Sequence, residues 1–212
     1  MNSSFHAELD SYKNEVCWYG RFALGMLKSA LSAFESGDEK IAADIIRQKE
    51  YLSNQYEMLN ERGILLIALH QPMATDLRII SCCMDTAASS ERVGRYAKDI
   101  AEVVKDSSER EFSELRDMGN MTVKILDAVY GVFESGDLAM LKDCIDIEDK
   151  IDSLYDEIYE NCLKQTDSFR YAGAALLVNR YLERCADHAC RMGEKVYYMR
   201  TGKRLQLKNI EV

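Results

Sequence analysis

A five-residue stretch, FESGD, stands at Phe34–Asp38 and returns at Phe133–Asp137, ninety-nine residues later. A longer echo follows each copy. SSERVGRYAKDIAE runs through Glu91, and YLERCADHACRMGE runs through Glu183, ninety-two residues further on. In that register Arg78 meets Arg170, Arg92 meets Arg184, Ala97 meets Ala189 and Glu102 meets Glu194. Two matches in one order and at nearly one spacing mark an internal duplication. The offsets differ by seven, about two turns of helix lost between the paired elements of the second half. Whatever this chain folds into, it folds into twice.

The repeated unit reads as helix. Among 212 residues there is a single proline, Pro72, and turn-forming clusters are few, which disfavours a many-stranded sheet. Residues 8–35 carry Val16, Tyr19, Ala23, Leu27, Ala30 and Phe34 at helical spacing. Ser36-Gly37-Asp38 closes that helix and caps the next, with Gly at the left-handed C-terminal position and Asp at the N-cap. The second helix is expected over 39–70, apolar all round at Ile64–Leu69 as a buried end is, and stopped by Pro72. The third runs from about 73 to 105. Asp106-Ser107-Ser108 breaks the chain, and the pattern restarts over 109–135, 138–163 and 169–199, with Ser135-Gly136-Asp137 repeating the cap. Short loops make neighbouring helices antiparallel. The expectation is all-α: six long antiparallel helices in two tandem three-helix bundles, residues 1–105 and 106–212.

Composition narrows the function. A net charge of −9 argues against a sequence-independent grip on nucleic acid, which needs clustered Lys and Arg. No apolar run approaches the roughly 20 residues of a membrane helix, and MNSSFHAELD lacks the basic start and apolar stretch of an export signal. Seven cysteines form no C-x-x-C pair and several fall on apolar faces. They read as reduced core residues of a cytoplasmic protein.

On the last helix Glu183 and Asp187 stand at i and i+4, and Glu194 returns to the same stripe three turns later. Stacked carboxylates repel unless they meet water, cations or a metal ion. A solvated acidic face is the plain reading. The apolar flanks Leu176, Leu182, Met192 and Val196 instead indicate a largely buried helix, whose carboxylates need partners.

The run QPMATDLR at 71–78, followed by the two signature segments, closely resembles the PhoU family of phosphate-uptake regulators, over about residues 10–202. The resemblance implies two tandem three-helix repeats in a non-enzymatic regulator. It implies contact with the ATPase subunit of a phosphate ABC transporter and, in many bacteria, with a sensor histidine kinase, repressing phosphate-starvation genes when phosphate is plentiful. It also implies a homodimer, no nucleic-acid partner, and a membrane reached only through the transporter. Family members carry Glu/Asp-x-x-x-Asp motifs that hold metal. Carried over, Glu148 and Asp152 form one such motif and Glu183 and Asp187 another, with Glu194 a weaker candidate. Four carboxylate ligands suit iron, manganese, zinc or another divalent metal. His188 is placed beside this set, at the surface or behind the ligands.

The first repeat departs from the pattern. Lys49 stands in the place of Glu148, Ser53 in that of Asp152 and Arg95 in that of Asp187, so only Glu91 remains of four. A site lined by Lys and Arg repels a cation. A salt-bridge cluster is expected there, with Lys49 and Arg95 neutralising Glu91 and Glu102. Two other classes compete. A ferritin-like di-iron enzyme needs Glu-x-x-His motifs on facing helices, and the chain has none. A histidine phosphorelay module needs an exposed histidine on a bundle, for which His188 is the candidate.

Overall fold

The computed structural model describes residues 3–106, 113–164, 169–204 and 206. They form α1 (Ser3–Ser36), α2 (Glu39–His70), α3 (Thr75–Asp106), α4 (Ser113–Ser135), α5 (Lys142–Lys164) and α6 (Phe169–Thr201), with a 3₁₀ turn at Leu138–Leu141 leading into α5. No strand occurs among the described residues. The two tandem three-helix bundles are α1–α3 and α4–α6. They meet along two seams, α1 against α4 and α3 against α6.

The repeated caps build what the sequence asked of them. Gly37 and Gly136 take left-handed φ of 64° and 75°. Asp38 accepts hydrogen bonds from the Lys40 and Ile41 amides at 2.9 and 3.1 Å. Asp137 accepts only from the Ala139 amide, at 3.1 Å. The second copy therefore opens with the looser 3₁₀ turn, and the helix after it is shorter than α2.

The fifth helix starts at Lys142 rather than 138, behind the 3₁₀ turn, and three other boundaries moved by two residues or more. α1 starts at Ser3 rather than 8, because Phe5 and Leu9 continue the buried stripe to Tyr12. α3 starts at Thr75 rather than 73, because Gln71 and Ala74 adopt left-handed backbone around Pro72. α6 continues to Thr201, two residues past the expected end, and Gly202 at φ 72° turns the chain away. Residues 109–112, expected to begin the fourth helix, lie outside the described residues.

One expectation reverses. Most of the end of α2 is not buried: Ile64, Leu65 and Leu69 are 51%, 50% and 74% exposed, while Leu66 joins the core and Ile67 packs half-buried against it. Apolarity on every face does not bury a helix when its neighbours cover one face alone. With Met73 and Leu77 these residues form an exposed apolar patch.

The seams record the duplication in detail. A Cβ on Gly20 of α1 would lie 2.4 Å from the Tyr130 ring of α4, and one on Gly119 of α4 would lie 3.0 Å from Leu31 of α1. In the ninety-nine-residue register Gly20 is equivalent to Gly119 and Leu31 to Tyr130. The contact is therefore reciprocal, as in a two-fold interface. Arg21 locks the same seam with ion pairs to Asp127 (2.5 Å) and Glu134 (2.8 Å). The core is otherwise aromatic and aliphatic, with Tyr12, Tyr19, Tyr130 and Phe133 fully buried. Two of those phenols are satisfied: Tyr19 donates to the Leu52 carbonyl at 2.9 Å and Tyr130 pairs with Ser90 at 2.9 Å.

Candidate functional site

α6 turns Leu182, Cys185, Ala186, Ala189, Met192 and Val196 into the core, which leaves Glu183, Asp187 and Glu194 on its half-buried flank. Arginines occupy that flank as well. Arg180 donates to Glu183 at 2.9 Å, and Arg184 stands 3.7 Å from Glu183 and 3.9 Å from Asp187. The Glu183 carboxyl is nonetheless held above its ordinary value, by burial first and then by Asp187 and Asp152, with Arg180 and Arg184 pulling the other way. Asp152 of α5 thus lies in the electrostatic neighbourhood of Glu183. Glu148 lies in that of Cys190, whose thiol is pushed up by burial, then by Glu148, with Asp187 and Glu194 adding smaller effects.

The structure therefore gathers the α5 pair and the α6 pair into one acidic region. It does not gather them into a coordination shell. Among the described residues no group of three or more His, Cys, Asp or Glu side chains converges in a way that holds a metal ion. In this arrangement Arg180 and Arg184 supply the positive charge beside the α6 pair. Glu194 also faces a second feature. It lines a cavity of about 380 Å³ with Ser81, Cys82, Lys195, Tyr198, Arg204 and Gln206.

In the first half Glu91 is 6% exposed and paired with Arg95, its neighbour one turn on. Arg95 also reaches Ser53 of α2, at 3.4 Å. Lys49 does not take the part expected of it. It is exposed and makes no ion pair among the described residues. Glu102 is met instead by Lys98, one turn before it on the same helix, at 2.7 Å. Spacing within α3 decided this over register between halves, because an i,i+4 pair forms wherever the helix forms.

His188 is not the exposed histidine that a phosphorelay module needs. It is half-buried on the α3–α6 seam with its ring 6.1 Å from that of Tyr96 and its Nδ1 shut away from solvent. Burial, then Arg191, Arg92 and Arg184, lower its pKa to about 4 against the opposing pull of Asp187. The imidazole is neutral at pH 7. Six of the seven cysteines are buried and all are free, and burial raises the Cys17 and Cys82 thiols to about 11 and about 12. Low-reactivity core thiols result. Sequence reasoning missed the α2 apolar patch and the cluster of Trp18, Phe22 and Tyr51, in which Trp18 is 53% exposed and stacks on Phe22. Unbroken apolarity just before Pro72 was the available signal for the first.

Comparison with known proteins follows the same two-part division. A family profile described as the PhoU domain matches residues 16–104 and again 115–196. The chain is 26% identical to a phosphate-specific transport system accessory protein PhoU homolog of Clostridium acetobutylicum, over 97% of this chain and 98% of the relative. It is 26% identical to a homolog of the same description from Borreliella burgdorferi, over 87% and 89%. The crystal structure of the phosphate transport system regulatory protein PhoU from Streptococcus pneumoniae superposes with a TM-score of 0.86 at 24% identity, covering 95% of this chain and 99% of that one. That of PhoU from Pseudomonas aeruginosa gives 0.87 at 22%, covering 94% and 100%. At those identities the two structures speak for the fold.

Proposed function

The chain belongs to the PhoU family, and from that premise we propose that it is a cytoplasmic, non-enzymatic regulator of phosphate uptake. It acts by binding the ATPase subunit of a phosphate transporter and, in cells that have one, a sensor histidine kinase, and it damps the phosphate-starvation response when phosphate is plentiful. The observation that carries this reading is the double match of the family profile, one copy per half, joined to relatives of matching length whose names place them in phosphate-specific transport. Two features support action through protein contact. The described helices include none long and apolar enough to cross a membrane, so the chain reaches the transporter from outside the bilayer. The exposed Ile64, Leu65, Leu69, Met73 and Leu77 supply apolar area of the kind that protein interfaces use. Co-purification of the intact chain with the transporter ATPase from its own cells tests the reading. Retention of the ATPase is expected, and its absence with and without phosphate in the buffer overturns the proposed contact.

The family resemblance also assigns metal to Glu148, Asp152, Glu183 and Asp187. Within this proposal Arg180 and Arg184 are the ion's competitors, since they already neutralise the α6 pair. The Arg180→Ala/Arg184→Ala variant then takes up more manganese than the wild type, and Glu183→Ala/Asp187→Ala takes up less. Equal metal content in all three removes the second-half site.

A further inference from the structure

The duplication supplies its own control for one surface of the first half. On α2, Tyr51, Met58 and Leu65 stand seven residues apart and Leu69 one turn beyond, so all four share one face. All four are exposed. Trp18 of α1 stacks on Phe22 at 5.8 Å, and the Tyr51 ring meets both edge to face, at 6.5 and 5.3 Å. The result is an apolar strip along the outer groove between α1 and α2, about 27 Å from Tyr51 to Leu69. In the ninety-nine-residue register Trp18, Tyr51, Met58 and Leu65 correspond to Asp117, Lys150, Glu157 and Lys164, which are exposed too. The second half thus builds the same bundle with a charged face in that place. Folding does not require the apolar strip, and an exposed strip of this length marks a contact.

The charges around the strip say what covers it. Glu50, Glu57 and Glu61 run along the edge away from α1, all exposed and none in an ion pair among the described residues. On the α1 edge the carboxylates are already met, Glu15 by Arg62 and Glu8 by His70. Arg47, the other arginine of the strip, is held by Asp44. Three free carboxylates along one edge repel an anionic lipid surface. A second copy docked two-fold through this face sets each glutamate row against its own equivalent. A cationic edge on the occupant satisfies all three.

We propose that the α1–α2 groove docks a basic amphipathic helix of a partner protein. Its apolar side lies on Trp18, Tyr51, Met58, Leu65 and Leu69, and a row of Lys or Arg lies over Glu50, Glu57 and Glu61. Helices that dock in grooves present anchors at i, i+4 and i+7, which is the spacing of the strip they meet here. Tryptophan and tyrosine carry much of the binding energy where they line such a contact. A strip of this length takes about 18 residues of helix. That the helix belongs to the transporter ATPase rests on the regulatory reading above; the docking rests on this face alone.

Trp18 is the chain's single tryptophan, so its fluorescence reports on the groove directly. The probe is a tryptophan-free helical peptide of about 18 residues, with leucine on one side and lysine along one edge of it. Titrated into the intact chain at physiological salt, it shifts Trp18 emission to the blue saturably, with half-saturation at about 10 μM. The same peptide with glutamate for lysine binds about tenfold more weakly. Met58→Asp weakens the lysine peptide about tenfold, and Glu57→Lys/Glu61→Lys reverses the preference between the two peptides. Asp149→Lys/Asp156→Lys on α5 changes the net charge by the same amount and leaves binding within about twofold of wild type. The substituted side chains are all exposed, so the variants keep the fold. No saturable shift, equal binding of the two peptides, undiminished binding in Met58→Asp or lost binding in the α5 variant overturns the proposal. So does a dimer that Met58→Asp splits, or the same blue shift with phosphatidylcholine vesicles. A peptide that fails to bind while the ATPase co-purifies removes the groove and spares the regulatory reading. A peptide that binds as stated to a chain that retains no ATPase does the reverse.

Discussion

Glu91 and Glu183 hold the same place in the two halves, yet the halves treat them differently. Glu91 is buried and tied to one arginine a turn away, which is itself tied to Ser53 of the neighbouring helix. Glu183 is more open, pairs with Arg180, shares Arg184 with Asp187, and is still held above its ordinary value by burial and by the acids around it. One duplication thus yielded a closed salt bridge on one side and an acid-rich cluster with half-exposed counterions on the other. The difference comes from three substitutions between the copies: Lys49 for Glu148, Ser53 for Asp152 and Arg95 for Asp187. A family motif can lose its ligands without losing its helices, because the core residues around it are separate from the carboxylates they present.

The largest effect that sharpens this contrast lies in the seam core. Gly20→Ala drives a methyl into the Tyr130 ring, which is fully buried and hydrogen-bonded to Ser90. Overpacking there outweighs the gain in helix propensity, for a net loss of about 2 kcal/mol. Gly119→Ala meets only the half-buried Leu31 at 3.0 Å, a side chain that can swing. It is expected to be neutral or to stabilise by up to about 1 kcal/mol. Chemical denaturation of both variants decides; equal losses mean that the two sides of the seam are packed alike.

Next come the arginines. Arg95→Ala strands the buried Glu91 and costs about 1–2 kcal/mol, whereas Arg180→Ala leaves Arg184 beside Glu183 and costs under about 0.5 kcal/mol. Equal losses in denaturant would erase the contrast between the two clusters. A smaller effect depends on pH. The Glu183 carboxyl is raised in the folded chain, so its contribution favours folding below the ordinary carboxyl range and is lost as pH rises through the folded value. Glu183→Gln therefore raises Tm at pH 7, and the gain closes as pH falls into the carboxyl range. Glu91→Gln lowers Tm at pH 7, since Arg95 loses its charged partner. A Glu183→Gln variant less stable than wild type at pH 7 contradicts the account of that cluster. Smallest of all, Lys49→Ala is expected to change stability by no more than about 0.5 kcal/mol, because the exposed side chain makes no ion pair among the described residues.

What was legible in the sequence was whatever depended on local chemistry. Ser-Gly-Asp punctuation, apolar spacing and the scarcity of proline were enough for six helices, since caps and periodicity act within a few residues. The Glu91–Arg95 pair was legible for the same reason. The fate of Lys49 was not, because register between repeats says which residues are equivalent and not which way a long side chain turns. The exposure of Ile64–Leu69 was hidden because apolarity fixes a preference and only the neighbouring helices decide whether it is met. The seam was least legible of all. That Tyr96 and His188 face each other depends on how two half-molecules dock, and nothing within one repeat records it.

The central claim, a regulator of phosphate uptake, is most directly tested by phosphate transport in cells lacking this gene. With phosphate plentiful, the account predicts uptake and starvation-gene expression that no longer fall as they do in the parent strain, with control restored when the intact chain is supplied. Uptake and starvation response that match the parent, in excess phosphate and in limitation alike, would contradict it.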